Sequence, residues 1–420
     1  MIDRKSSSDK KLFIAELNYL AYQLEKYATT FNQALILYDS INIIERKIFA
    51  IENLKKSINQ FSDSELMVEV QKILSLQNDG HSGTSLLFDN FIFNNSIEYI
   101  LPLYFEFFGQ ELWCIGVYGQ SNSKFINTRL LSFNGFSVAE IFDKFKSIIG
   151  YDNIFNARSK FQKHISSVAI LKAIGVVRKN DTNIFITTES IQGGLNCESL
   201  SYINKNTYHP DYSNLLRLAE NPEIPTNRFI TSRDLMIYEI PEINSICVKI
   251  STLRLSEEQK DNLYSTLKIR IENVKPRKII IDYRGNEGGT GFLNDKWIEM
   301  LIEYGKNDSN LIVITDIHTF SLATKQAAWL KLEGNALLIG EPSGGNFLGY
   351  SSPKTYTMKS LNLSYNLTTE HFNDSKKFDL SEIAMRISSF ELLNPDKEIY
   401  PSVFDFIEGK DPIFRYISSL

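Results

Sequence analysis

Apolar positions in the first 78 residues recur at helical spacing. Phe13, Leu17, Leu20 and Leu24 mark one stripe, and Ile44, Ile48, Ile51 and Ile58 mark a second. A third helix is predicted to open at Ser62-Asp-Ser-Glu65, where serine and glutamate side chains can each take an unsatisfied backbone N–H. It carries Leu66, Val70, Ile73 and Leu74 and stops at Asn78-Asp79-Gly80. After Gly80 the pattern changes. Tyr104–Phe108 and Leu112–Tyr118 are short, aromatic or β-branched, and partly alternating, Ser132-Phe-Asn-Gly135 is a turn signal, and Val138–Phe145 reads as a short helix. These features predict a helical bundle over 1–78 and a β-rich module over 79–185. Residues 186–231 carry few signals and read as connecting structure.

From 232 onward, strands and helices alternate. Ile246–Ile250, Lys278–Asp282, Leu311–Ile314 and Ala336–Gly340 are short apolar runs. Between them lie helical stretches: Leu263, Leu267 and Val274 after a Ser256/Gln259 capping box, Trp297 and Leu301, and a segment from Ser321 to Lys331. Buried strands separated by helices predict an α/β core over 232–420, with a largely parallel sheet covered on both faces.

Composition narrows the function classes. Hydrophobic residues make up 43% of the 420 positions, enough for real cores. Lys plus Arg is 45 against 50 Asp plus Glu, a net charge of −5, which disfavours a nucleic-acid partner. No run of about 18 apolar residues suggests a membrane span. Cys114, Cys197 and Cys247 fit neither a disulfide framework nor a zinc site, so no metal is expected. With no secretory pattern in MIDRKSSSDKKLF, the expected compartment is cytoplasmic.

Chemistry in an α/β domain gathers where strands end. Three such loops stand out: Asp282–Gly291, with four glycines; Thr315–Ser321, leading from a strand straight into a helix; and Gly340–Asn346. A serine at a strand-to-helix turn is placed for nucleophilic attack, although a simple N-cap is the commoner role of serine there. The glycine loop lacks the lysine of a phosphate loop. Among the five histidines, His81 lies in a polar turn and His318 three residues before Ser321; Lys325, one helical turn on, is either a base or a solvated helix-face lysine.

Taken in order, these segments resemble the serine peptidases that include the C-terminal processing (tail-specific) proteases and the tricorn core protease. Asp79-Gly-His81-Ser82 resembles the family's D-G-H-[ST] motif, and Ile280–Gly289 its D-x-R-G-N-x-G-G signature. Thr319-Phe-Ser321 resembles its nucleophile turn, Gly340–Gly345 its G-E-x-[ST]-x-G loop, and Tyr400-Pro401 with Gly409–Pro412 its closing segments. The resemblance implies a ClpP/crotonase-like α/β core, an N-terminal helical bundle and a PDZ-like β-rich insert without a clear carboxylate-binding loop. The processing branch pairs its serine with a lysine, but Asn346 stands at that place, so the tricorn-like Ser/His branch is implied.

On that resemblance Ser321 is the nucleophile and His81 the general base, with Gly288 and Leu322 backbone N–H groups as the oxyanion hole. Glu370, 49 residues past Ser321, is the candidate to orient His81, with Ser82 and Gly289 in support. The expected activity is a serine peptidase without cofactor, acting on peptides or unfolded proteins, and a homo-oligomer is compatible with the family. Two other readings stay open: a catalytically weak peptide-binding protein on the same fold, and a hydrolase of non-protein acyl substrates.

Overall fold

The apolar runs predicted as strands pair side by side. Ile246 faces Ile279, Ile280 faces Ile312, and Ile314 faces Ile339, all in parallel register. The sheet has seven strands in the order Arg228–Thr231, Leu235–Ile240, Ser245–Ile250, Lys278–Asp282, Leu311–Thr315, Leu337–Gly340 and Lys397–Glu398. The first two lie antiparallel at one edge, so the sheet is mixed rather than purely parallel. Successive side chains of a strand point to opposite faces. Ile279 and Ile281 accordingly join the core beneath the helices Glu257–Val274, Lys296–Asp308 and Leu322–Gly334. Ile280 and Ile312 face the other way, against Ile413 and Ile417 of the final helix Pro412–Ser419. Each such isoleucine, fully buried, contributes about 1.5–3 kcal/mol.

The closing Gly-Lys-Asp-Pro segment proves to be a structural joint. Asp411 caps the final helix by accepting from Ile413 N–H at 2.9 Å and Phe414 N–H at 3.3 Å. Its other oxygen accepts from Arg284 Nη1 at 2.7 Å. Arg284 also forks onto Asp282, at 3.0 and 2.9 Å.

The computed structural model describes residues 7–35, 43–77, 79–88, 99–204, 215–217, 228–231, 234–291, 293, 295–308, 310–347, 349–371 and 394–420. They fall into two compact units. The sheet above belongs to the one made of Asn153–Ser159, Ala219–Phe347 and Lys377–Leu420. The other unit comprises Met1–Asp152, Lys160–Leu218 and Leu348–Lys376.

That other unit contains the expected N-terminal helices Ser7–Leu35, Ile43–Ser57 and Asp63–Ser75. Phe13, Leu17, Leu20 and Leu24 are buried, as are Leu66, Val70, Ile73 and Leu74. On the second helix Lys47 is fully buried, whereas Ile48 is only half so. A seven-stranded antiparallel sheet follows, built from Leu103–Phe108, Glu111–Tyr118, Thr128–Phe133, Phe136–Ser137, Asn183–Ser190, Leu195–Ser201 and Leu215–Arg217. The predicted turn closes a hairpin through Asn134 and Gly135, both at positive φ, 49° and 83°.

Residues 186–231 are not simply connecting structure. Asn183–Ser190 and Leu195–Ser201 form a hairpin that turns at Gly193. The second strand exposes one face and buries only Leu200 on the other, so its apolar alternation is weak. A further hairpin, Tyr350–Met358 with Leu363–His371, pairs with the short strand Gly83–Thr84. No helix among the described residues is long and apolar enough to cross a membrane.

Candidate active site

The three loops singled out in sequence converge on Ser321. The turn from strand Leu311–Thr315 into helix Leu322–Gly334 is fixed by Asp316. Its Oδ1 accepts from His318 N–H at 3.0 Å and Thr319 N–H at 2.9 Å, and its Oδ2 from Gly285 N–H at 2.9 Å. Thr319, fully buried, donates through Oγ1 to Tyr283 O at 3.0 Å. Phe320 N–H donates to Asn286 O at 2.9 Å. The Ser321 turn is thereby stitched to the glycine loop residue by residue.

Ser321 occupies the helix N-cap position but makes no capping bond with its side chain. Its backbone sits at φ 56° and ψ −126°, a region L-residues avoid. Such a conformation costs on the order of 1–3 kcal/mol and persists only where the surroundings impose it. The surroundings here are glycines. A side chain at Gly288 would begin 2.8 Å from Ser321 Cβ and 3.0 Å from Leu322 N. One at Gly345 would begin 3.0 Å from Ser321 N. Strain at a sharp strand-to-helix turn is how a serine hydroxyl is presented outward for attack.

Gly288 N–H donates to Asn286 Oδ1 at 2.8 Å, because an asparagine side chain readily bonds the backbone two residues on. Leu322 N–H, at the first helical position, is one of the donors a helix cannot satisfy internally. Gly289 packs against Leu253, where any side chain would start 2.3 Å from the Leu253 carbonyl carbon. Asn286 was not singled out in sequence. It is fully buried, and its Nδ2 donates to Ile250 O at 2.8 Å.

Of the two other candidate bases, one is hydrogen-bonded to a neighbouring serine and the other is buried. His318 Nδ1 lies 2.7 Å from Ser159 Oγ in a hydrogen bond. Lys325 is not a solvated helix-face lysine; it is buried, 5% exposed. Asn346, at the place of the processing-branch lysine, has its Oδ1 bonded by Asn153 Nδ2 at 3.2 Å.

His81 belongs to the other unit. It follows the helix Asp63–Ser75 and precedes strand Gly83–Thr84, in a turn held by several hydrogen bonds. Gly80 N–H donates to Asp152 Oδ1 at 2.7 Å, and Gly80 O accepts from Lys160 Nζ at 2.8 Å. The same ammonium reaches Gly150 O at 2.7 Å. A side chain at Gly150 would begin 2.4 Å from Asp79 O, so only glycine fits there. Asp79 is wholly buried; its Oδ1 accepts from His81 N–H at 2.9 Å and lies 3.4 Å from His81 Nδ1. Its Oδ2 accepts from Thr368 Oγ1 at 2.9 Å. Ser82 Oγ lies 3.3 Å from Thr368 Oγ1, a support for the turn rather than a partner of the ring.

Buried charges hold this turn. Burial alone would push the Asp79 carboxyl up, but the bonds and charge of His81 and the bond from Ser82 bring it down to about 2. Lys47, whose Nζ donates to Gln77 Oε1 at 2.8 Å, is pushed down to about 8 by burial, against the pull of Asp79. Lys160 is likewise lowered to about 8 by burial, opposed by Asp152 and Asp79. Glu370 lies on strand Leu363–His371, opposite Ser351; its side chain is outside the described residues, as is Asn78. Asp79 went unassigned in sequence, although a carboxylate two residues before a histidine was the available signal.

No family model matches the chain, and no curated protein matches it in sequence. Among solved structures it is similar to mature CPAF, which aligns over 99% of this chain and 97% of its own at 12% identity and TM-score 0.67. Mature CPAF complexed with lactacystin aligns over 98% of both chains, at 12% identity and TM-score 0.61. The photosystem II D1 C-terminal processing protease aligns over 96% of both, at 11% identity and TM-score 0.39. The chain therefore shares the fold of mature CPAF along nearly its whole length.

Proposed function

We propose that this protein is a serine peptidase that cleaves peptide bonds through an acyl-enzyme, with Ser321 as nucleophile and His81 as general base. The observation that carries the reading is the strained backbone of Ser321, imposed by two glycine loops at the mouth of a helix. Ser321 Oγ attacks the carbonyl carbon while its proton passes to the His81 imidazole. The oxyanion that forms accepts from Leu322 N–H, with Gly288 N–H joining only by sharing its bond to Asn286. One such donor is worth roughly 3–4 kcal/mol in the transition state. The imidazolium then gives its proton to the leaving amine, and water, deprotonated by the same ring, releases the acyl group.

In this reading the β-rich module is a PDZ-like insert, the seven-stranded mixed sheet is a ClpP/crotonase-like core, and peptides or unfolded proteins are the substrates. Cys114, Cys197 and Cys247 form no disulfide, which suits a reducing, cytoplasmic setting. A fluorophosphonate probe tests the assignment. Labelling of the wild type is expected to vanish in Ser321→Ala and to fall at least a hundredfold in rate in His81→Ala. Undiminished labelling in His81→Ala transfers the base role to another group, of which buried Lys325 is the first to test. A peptide library separates peptidase from other acyl hydrolase activity.

A further inference from the structure

We infer that Asp79 is the positioning residue for His81: its buried carboxylate accepts the Nδ1 proton of the ring and leaves Nε2 as the basic nitrogen. The inference rests on the serine-peptidase reading for its catalytic meaning, but its geometry stands separately. One oxygen of Asp79 takes the His81 backbone N–H at 2.9 Å and stands 3.4 Å from Nδ1 of the same residue. The carboxylate holds the backbone of a histidine two residues on and faces its buried Nδ1 at ion-pair distance, so a small rotation of the ring closes the bond. The second oxygen is anchored at 2.9 Å by Thr368 Oγ1, from a strand far along the chain, so the carboxylate itself cannot swing.

Asp152 stands in the same cluster, its carboxylate within 4.8 Å of the Asp79 and His81 atoms, while the nearby cations bond carbonyl oxygens. Asp152 spends Oδ1 on Gly80 N–H at 2.7 Å. Lys160 donates to the Gly80 and Gly150 carbonyls, and Lys47 to Gln77. A neutral imidazole with its proton on Nδ1 presents a lone pair at Nε2, the form a general base requires. When that nitrogen takes the serine proton, the imidazolium faces an ionised carboxylate already in place. Asp79 touches neither substrate nor nucleophile in this scheme; it acts through the ring.

The test is a two-bond ¹H–¹⁵N spectrum of the full-length protein labelled at histidine, with His81 identified by the signals missing from His81→Gln. The expected neutral form of His81 is Nδ1–H in the wild type and Nε2–H in Asp79→Asn, where the amide can donate to Nδ1. Labelling of Ser321 should slow roughly a thousandfold or more in Asp79→Asn, and less than about tenfold in Asp152→Asn. A wild-type ring protonated on Nε2, or a ring unchanged in Asp79→Asn, overturns the inference. Should Asp79→Asn not fold, the wild-type tautomer alone decides. A wild type with the Nδ1–H ring but no reactive serine leaves Asp79 in place and removes the peptidase reading.

Discussion

The serine turn and the histidine turn are held in place by different forces. Around Ser321 the restraints are backbone bonds, neutral side chains, one Asp316 carboxylate and the absence of side chains at Gly288 and Gly345, set on an apolar parallel sheet. Around His81 they are charges: buried Asp79 and Lys47, partly buried Lys160 drawn toward Asp79, and partly buried Asp152 on Gly80. The first kind of scaffold stores strain in backbone geometry. The second is exposed to titration, because each of its members changes the balance when it gains or loses a proton.

Four experiments would break or sharpen that contrast. The largest effect is expected in acid, in the unit that carries His81. His164 is buried with Nε2 bonded to Leu87 O at 3.1 Å, and burial, aided by Lys163, lowers it to about 3. The unfolded chain takes that proton below about pH 6.5. Stability from this group is therefore complete above 6.5 and is lost as pH falls toward 3, about 4–5 kcal/mol over the span. Urea melts of His164→Gln should show an acid slope smaller by about one proton than the wild type. An unchanged slope would place the acid sensitivity elsewhere.

Next in size is Lys160→Met, which strips Gly80 and Gly150 of a donor and leaves Asp79 and Asp152 less compensated. A loss of about 3–5 kcal/mol is expected in denaturant melts. Smaller and opposite in sign is Ser321→Gly: relieving the left-handed backbone should stabilise the protein by about 1–2 kcal/mol while removing probe labelling. A destabilised Ser321→Gly would show that the serine side chain, rather than its neighbours, maintains the turn. The smallest is Ser256→Ala. It removes the cap accepting Gln259 N–H at 3.2 Å, for a loss of about 1 kcal/mol in the melt with no change in labelling.

Much of the serine side was legible because its signals are local. Continuous isoleucine runs read as buried strands, Ser256 with Gln259 read as a helix start, and glycines beside a Thr-Phe-Ser turn read as close approach. The histidine side was less so. Lysines look solvated in a sequence, and nothing local says that Lys47, Lys160 and Lys325 are enclosed. Thr368, which anchors Asp79, lies 289 residues away on a hairpin that was not anticipated. Strand Leu195–Ser201 escaped for the opposite reason: exposed on one face and burying only Leu200 on the other, it has register but little hydrophobic code. Asn286 and Asp316 were in view as loop residues, yet their work as staples depends on which backbone groups the fold brings within reach.

The joint at Asp411 bears on how the molecule is made. A single carboxylate there caps the final helix and receives Arg284, and that helix roofs one face of the seven-stranded sheet. During synthesis Tyr238, Ile280 and Ile312 emerge long before their cover, so this face stays wet until the stretch beyond residue 411 clears the ribosome. The nascent chain must wait for its lid, and whatever shields an oily surface in the meantime, chaperone or ribosome wall, has this patch to guard.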